Sequence, residues 1–452
     1  MRLQRLPLLF LLVGFLVAAP PEAPEQNSIR LEARRRHASL VHEGYNLTYG
    51  FSWGSQNEKK PLHLDLLVPE SRGEHRLSFW LETSGGVASI QLLNPGGETL
   101  VHWAGREGEM VLSHRLPMGK YVLEIDPSKT SGGYAEFGVK GPLMQTCTWE
   151  PTTSRAVPAS PSKGFHWPYL LFVPKEIKYP CLLVAPNNTG FAVEDPEILR
   201  ASATCEIQKQ SALAERLGCP LLVPMFPRPS TPSEEANLYL HALSRASLQT
   251  QAKAWKRVDL QLLNMIQDAQ GQLNAMGLTF NPRVLLSGFS ASGSFVNRFT
   301  ILHPEHVLAV ACGSPGGWPI APVAEQGGER LGYPVGIGDL EALVGSPFKL
   351  DALKSVPWFF YLGDQDSNDA VPYRDSFSRA DEELIFRRFG TTLPGRWKQA
   401  EQLYTSQGLS ARFALYPGVS HTVTPEMEAD IALFFENRLK ATFGSSHLGP
   451  QK

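Results

Sequence analysis

The sequence predicts a two-part chain: a small antiparallel β-sandwich, then an α/β domain whose mostly parallel sheet carries helices on both faces. Three observations predict it. Short alternating strands occupy the first part, and apolar strands separated by helical patterns occupy the rest. A stretch rich in Pro, Ser and Thr divides the two.

A chain of 452 residues is too long for one ordinary domain, and 42% hydrophobic residues suffice for a sizeable core. The formal net charge is −2, the pI about 6.6, and no long Lys/Arg run occurs. That balance argues against nucleic acid or an anionic membrane surface as the main partner.

The opening "MRLQRLPLLFLLVGFLVAAPPEAPEQ" has Arg2 and Arg5, an apolar run, then small residues and Pro. This layout is that of a secretory signal peptide, assigned to residues 1–19, with an uncleaved anchor as the rival reading, and the run is short for a membrane span. No second span follows, so the expectation is a secreted or periplasmic protein without stable membrane insertion. Five cysteines (Cys147, Cys181, Cys205, Cys219 and Cys312) leave at least one thiol free if the others pair. Asn46 and Asn187 head glycosylation sequons.

Residues 35–145 read as the sandwich. In "LHLDLLV" Leu62, Leu64 and Leu66 alternate with His63 and Asp65, and "RLSFWLET", "VASIQLL", "YVLEID" and "YAEFGVKG" follow with "NPGG" and "SGG" between them. Such a module could contact carbohydrate or polymer through Trp80 and Trp103, although packing is the commoner fate of a strand tryptophan. Residues 150–164, "EPTTSRAVPASPSKG", read as a linker.

From 165 to 440 the pattern alternates. Strands are expected at 169–173, 181–185, 220–226, 284–287, 307–312, 358–363 and 412–418. Trp255, Val258, Leu262, Ile266, Ala269 and Leu273 mark an amphipathic helix, and Met427, Ile431, Phe434 and Phe435 a closing one.

The stretch "VLLSGFSASGSFVNRF" runs from a strand through small residues into a helix. Gly-x-Ser-x-small at such a junction is a nucleophile elbow, whose tight turn must not be crowded. Gly288 lies two before Ser290; Ser292 stands where the strict motif has its second glycine, and Gly293 follows. Ser290 is the candidate nucleophile. The rival reading is a Gly/Ser-rich loop that only packs or binds an anion. An elbow serine needs an acid and then a histidine downstream, in that chain order. "WFFYLGDQDSNDAVP" supplies Asp366 after a buried strand, and "YPGVSHT" places His421 after the last one.

On "GFSASG", "LGDQDSNDAVP" and "YPGVSH", residues 165–440 resemble the α/β-hydrolase superfamily. The elbow resembles that of exported bacterial esterases of the polyester-depolymerase and feruloyl-esterase type. The resemblance implies a Ser290–His421–Asp366 triad and an acyl-enzyme, with no cofactor and no metal. Asp369, three before Pro372, is the alternative acid. Asp364, Asp366, Asn368 and Asp375 also match calcium-loop spacing, but Asp369 occupies the turn position that wants glycine. The oxyanion hole is expected from the N–H of Ala291 and of Asn188, in "LLVAPNNTG". The segments 315–355 and 375–405 are candidate covers for the pocket. A small-molecule or polymeric carboxylic ester is the expected substrate. A serine peptidase is the alternative, although the front domain is too short for a gating propeller. A hydrolase-like binding protein without activity is the third reading, and a missing triad member would have favoured it.

Overall fold

The computed structural model describes residues 47–53, 61–68, 75–114, 116, 119–140, 144–145, 154–188, 196–229, 238–275, 277–366, 368–373 and 376–444. The expected signal peptide, Asn46, Cys147 and Asp375 lie outside the described residues. Chain contacts divide at 148/149 into two units.

The first unit is antiparallel throughout. Its strands are β1 (Leu47–Trp53), β2 (Leu62–Val68), β3 (His75–Leu93), β4 (Thr99–Gly105), β5 (Glu107–His114), β6 (Gly119–Lys140) and β7 (Met144–Gln145). Two pairs of expected strands prove to be single long ones, β3 and β6, which pair along most of their length. The "SGG" segments are bends, not turns. At Gly86 the φ is +84°, and a Cβ would lie 1.8 Å from the carbonyl oxygen of Lys129, so only glycine lets the two strands cross there.

The first half of β3 pairs with β5 and the second half with β4. The second half of β6 takes β1 and the first half takes β2. The halves bury one common core, with Leu77, Phe79 and Leu81 from one and Ile90, Leu92, Leu123 and Ile125 from the other. Inward parity in β3 changes from odd to even between Leu81 and Ala88, and the register shifts between Thr83 and Ser89 absorb the change. Trp80 is buried, and Trp103 packs partly buried against this core.

The second unit holds an eight-stranded sheet. Its strands are β8 (Ser154–Val157), β9 (Tyr169–Phe172), β10 (Leu183–Val184), β11 (Leu221–Pro224), β12 (Val284–Phe289), β13 (Val307–Gly313), β16 (Trp358–Gly363) and β17 (Ala411–Tyr416). Between β13 and β16 a small separate hairpin joins β14 (Glu325–Gln326) to β15 (Glu329–Arg330). The order across the sheet is β17-β16-β13-β12-β10-β11-β9-β8. Every pair is parallel except those made by β9.

The expected linker is therefore corrected: within 150–164, Ser154–Val157 forms the edge strand β8 and Pro161–Lys163 a single 3-10 turn. Edge strands and loops share a Pro- and Ser-rich composition, which is why the two were indistinguishable.

Strands β9 to β13 and β16 are buried almost throughout, as sequences covered on both faces require, whereas edge strand β17 is mostly half-exposed. The helices Pro196–Leu217, Val258–Asn274, Ala291–Leu302 and Pro425–Phe443 connect or cover them. The closing helix starts where Thr424 accepts from the N–H of Met427 and Pro425 takes the first position, a cap that contributes about 1 kcal/mol. Among the described residues no helix is long and apolar enough to cross a membrane. Cys181, Cys219 and Cys312 are free and buried, and Cys205 is disulfide-bonded.

Candidate active site

β10 has β11 on one side and β12 on the other, so the chain reverses its winding there. Ligands of open α/β sheets gather at such a point, beyond the strands' C-terminal ends. The C-terminal ends of β10, β12, β16 and β17 carry Asn188, Ser290, Asp366 and His421.

Ser290 joins β12 to the helix Ala291–Leu302 with φ +60° and ψ −125°. A serine in that region stores strain that its surroundings must impose. They do so by close approach. A Cβ on Gly288 would lie 2.3 Å from the carbonyl oxygen of Ser292, and one on Gly293 2.3 Å from that of Gly313. The N–H of Ser290 donates to the carbonyl of Gly313 at 2.9 Å. Ser292 contributes more than small size. Its hydroxyl donates to the carbonyl of Phe289 at 2.8 Å and accepts from the N–H of Phe289 at 3.0 Å, tying the turn across Ser290.

The acid and histidine loops are zipped together by backbone bonds. Asp364 N–H donates to Tyr416 at 2.9 Å and Gln365 N–H to Val419 at 3.0 Å. Asp364 itself accepts from the N–H of Gly418 at 2.7 Å. This join brings Asp366 against His421, with Oδ2 2.8 Å from Nδ1. Asp366 also accepts from the hydroxyl of Ser314 at 2.7 Å and from the N–H of Asn368 at 2.8 Å. Burial pushes its carboxyl up, but the hydrogen bond and charge of His421, the Ser314 hydroxyl and the Asn368 N–H outweigh it. The net effect holds Asp366 below the usual carboxylate value.

With Nδ1–H given to Asp366, Nε2 of a neutral ring is the acceptor, and it receives the side-chain amide of Asn368 at 2.8 Å. The ring also lies 4.7 Å from that of Phe289, the residue before Ser290.

Asp369 is placed elsewhere. It pairs with the buried guanidinium of Arg396 and accepts from the N–H of Val371 at 3.1 Å. Burial raises its pKa despite Arg396. Of the two candidate acids, Asp366 is the one that touches His421. Calcium-loop spacing does not translate into convergence either, since Asp364 turns to Gly418 and Asp366 to His421.

A second His–Asp contact shows why position matters. His303 Nε2 lies 2.9 Å from Asp259, which Arg257 also binds. His303 caps the far end of the helix that begins at Ser290, about 18 Å along its axis, so it belongs to the scaffold.

Ala291 is buried at the first helical position, where backbone N–H groups lack intrahelical partners. Asn188 is half-buried beyond β10. Its neighbour Asn187 is fully buried, donates to the carbonyl of Phe226 at 2.9 Å and accepts from its N–H at 3.1 Å. That side chain is a brace for the loop and leaves no room for a glycan.

The expected cover segments pack into one cluster that includes Trp318, Leu331, Phe377, Ile385 and Phe389, together with Val371 of the acid loop. Sequence reasoning missed Ser314, which only the sheet order brings to Asp366, and read Asn368 as a calcium-loop position rather than a partner of His421.

A mostly parallel sheet with a Gly-x-Ser elbow after a central strand, an acid after a later strand and a histidine after the last meets the pattern. The fold is that of the α/β hydrolases.

No protein-family model matches the sequence, and no curated protein does. Solved structures similar to it include poly(aspartic acid) hydrolase-1 from Sphingomonas sp. KT-1, at 14% identity and a TM-score of 0.43 over 64% of this chain and 98% of that one. A ferulic acid esterase shares 14% identity at a TM-score of 0.36, covering 63% of this chain and 97% of its own. A thermostable esterase shares 12% at 0.36, covering 85% and 96%. At such distances nothing about this chain's substrate follows from theirs.

Proposed function

We propose that this chain is an exported serine hydrolase that cleaves carboxylic esters through an acyl-enzyme. The observation that carries the reading is the strained backbone of Ser290, at φ +60° between a buried strand and a buried helix. Strain of that kind is costly and persists where it aims a side chain at a substrate. The His421–Asp366 contact beyond neighbouring strands supports the same reading.

In the first step Nε2 of His421 takes the proton of the Ser290 hydroxyl as Oγ bonds to the ester carbonyl carbon. Asp366 holds the tautomer and stabilises the imidazolium. The oxyanion is received by the N–H of Ala291 and, after β10, by that of Asn188, each such donor being worth about 3–4 kcal/mol. His421 then returns the proton to the departing alcohol. Water, activated in the same way, releases the acid.

The test is hydrolysis of a series of p-nitrophenyl esters by wild type and Ser290→Ala. The expected result is a burst of one equivalent of nitrophenol followed by turnover, with kcat about 10⁶-fold lower in the variant. Equal rates in the two proteins would remove the reading.

A further inference from the structure

All twelve residues of the helix Ala291–Leu302 are buried, and one of them is an arginine. Arg298 has 0% exposure. Its Nη1 donates to the carbonyl of Ala242 at 2.7 Å. Its Nε and Nη2 have no hydrogen-bond partner among the described residues. The guanidinium faces two rings instead, Phe377 at 5.1 Å and Tyr333 at 5.9 Å.

Three other arginines of this unit show the usual neutralisation. Arg396 has Asp369, Arg257 has Asp259 and Arg245 has Asp339. The acid whose charge reaches Arg298 is Asp381, and that carboxylate is already bound by the N–H and hydroxyl of Ser378. An arginine stays charged inside a protein, and a buried, uncompensated charge is strongly destabilising.

The geometry of the unused atoms is specific. Nε–H and Nη2–H point in parallel from one edge of the guanidinium, the edge that grips a carboxylate with two hydrogen bonds. The third nitrogen is tied toward the elbow, since Ala242, whose carbonyl holds Nη1, packs with Tyr239 against Ala291. We propose that the Nε/Nη2 edge of Arg298 binds a carboxylate, carried either on the acyl part of the substrate or by a free small acid. The substrate form rests on the hydrolase reading above; the binding form does not.

Two measurements separate the sources. The first compares melting of wild type, Arg298→Met and Arg298→Lys in sodium acetate and in sodium chloride at equal ionic strength. Acetate is expected to raise the melting temperature of wild type by several degrees, and to leave Arg298→Met unmoved. In chloride, Arg298→Met is expected to melt no lower than wild type, because it removes an uncompensated buried charge. Arg298→Lys keeps the charge without the paired edge, and its response to acetate is expected to be weaker.

The second compares kcat/KM for the mono-p-nitrophenyl ester of glutaric acid with that for the p-nitrophenyl ester of valeric acid. A substrate carboxylate predicts a preference of about tenfold or more for the acid-bearing ester, lost in Arg298→Met. An acetate response without that preference assigns the site to a free acid. Equal melting of wild type in the two salts, with an ester preference that Arg298→Met leaves unchanged, overturns the proposal. If no ester is turned over at all, the hydrolase reading fails while the melting arm still reports on Arg298.

Discussion

Asp366 and His421 are 55 positions apart in the chain and 2.8 Å apart in the fold, joined by the backbone zipper that links the ends of β16 and β17. Asp369, three residues on, faces Arg396 instead. The two carboxylates therefore separate by experiment. Asp366→Asn is expected to lower kcat by about 10⁴-fold while the protein stays folded, because the imidazole loses its tautomer. Asp369→Asn strands a buried guanidinium and is expected to cost about 3–5 kcal/mol of stability, with near-normal kcat in the folded fraction. Urea unfolding and steady-state kinetics on both variants check the pair, and reversed outcomes would exchange the roles.

The amide of Asn368 occupies Nε2 of His421, the nitrogen that must accept from Ser290. Removing a neutral hydrogen bond of about 1 kcal/mol should free that nitrogen, so Asn368→Ala is expected to react with a fluorophosphonate about fivefold faster. The backbone bond from Asn368 to Asp366 survives the change. Slower or unchanged labelling would mean that the amide does not restrain the ring.

One source of acid sensitivity is His241. This imidazole is fully buried beside Phe226, with its Nε2 2.7 Å from the carbonyl there. Burial first, and then Arg228, push its pKa down to about 4, against the raising effect of the Phe226 carbonyl. Between pH of about 6.5 and 4 the unfolded chain binds a proton that the folded chain refuses, so stability falls as pH falls through that window. The loss is on the order of 3 kcal/mol. His241→Gln keeps a donor for the carbonyl and is expected to flatten that part of the profile. Asp366 acts lower: its stabilisation is present above about pH 4 and is lost as pH drops through its depressed folded value. Melting temperatures from pH 8 to pH 3 read both windows, and an unchanged profile in His241→Gln would contradict the first.

Much of the second unit was legible because strands buried on both faces must be continuous apolar runs. "WFFYLG" is β16 from end to end. The elbow was legible for a related reason: close packing at a strand–helix corner demands small residues, and a Cβ on Gly288 or Gly293 would lie 2.3 Å from a carbonyl oxygen. Bends defeated the same reasoning in the first unit. Gly85 and Gly86 look like a turn, yet β3 continues through them as one bent strand. At 150–164 composition alone suggested a linker, and pairing with β9 makes part of it a strand. Ser314 was out of reach, since its hydroxyl becomes a site group only when the sheet order places Asp366 beside it, and Asn368 was noticed only as a calcium-loop position, not as a partner of His421.

The central claim is that Ser290 is an activated nucleophile, and covalent labelling with a fluorophosphonate tests it most directly. Intact and peptide masses of wild type and Ser290→Ala would be compared after equal exposure. The account predicts one adduct per chain, on the peptide that contains Ser290, and none in the variant. An unlabelled but folded wild type, or an adduct that persists in Ser290→Ala, would contradict it.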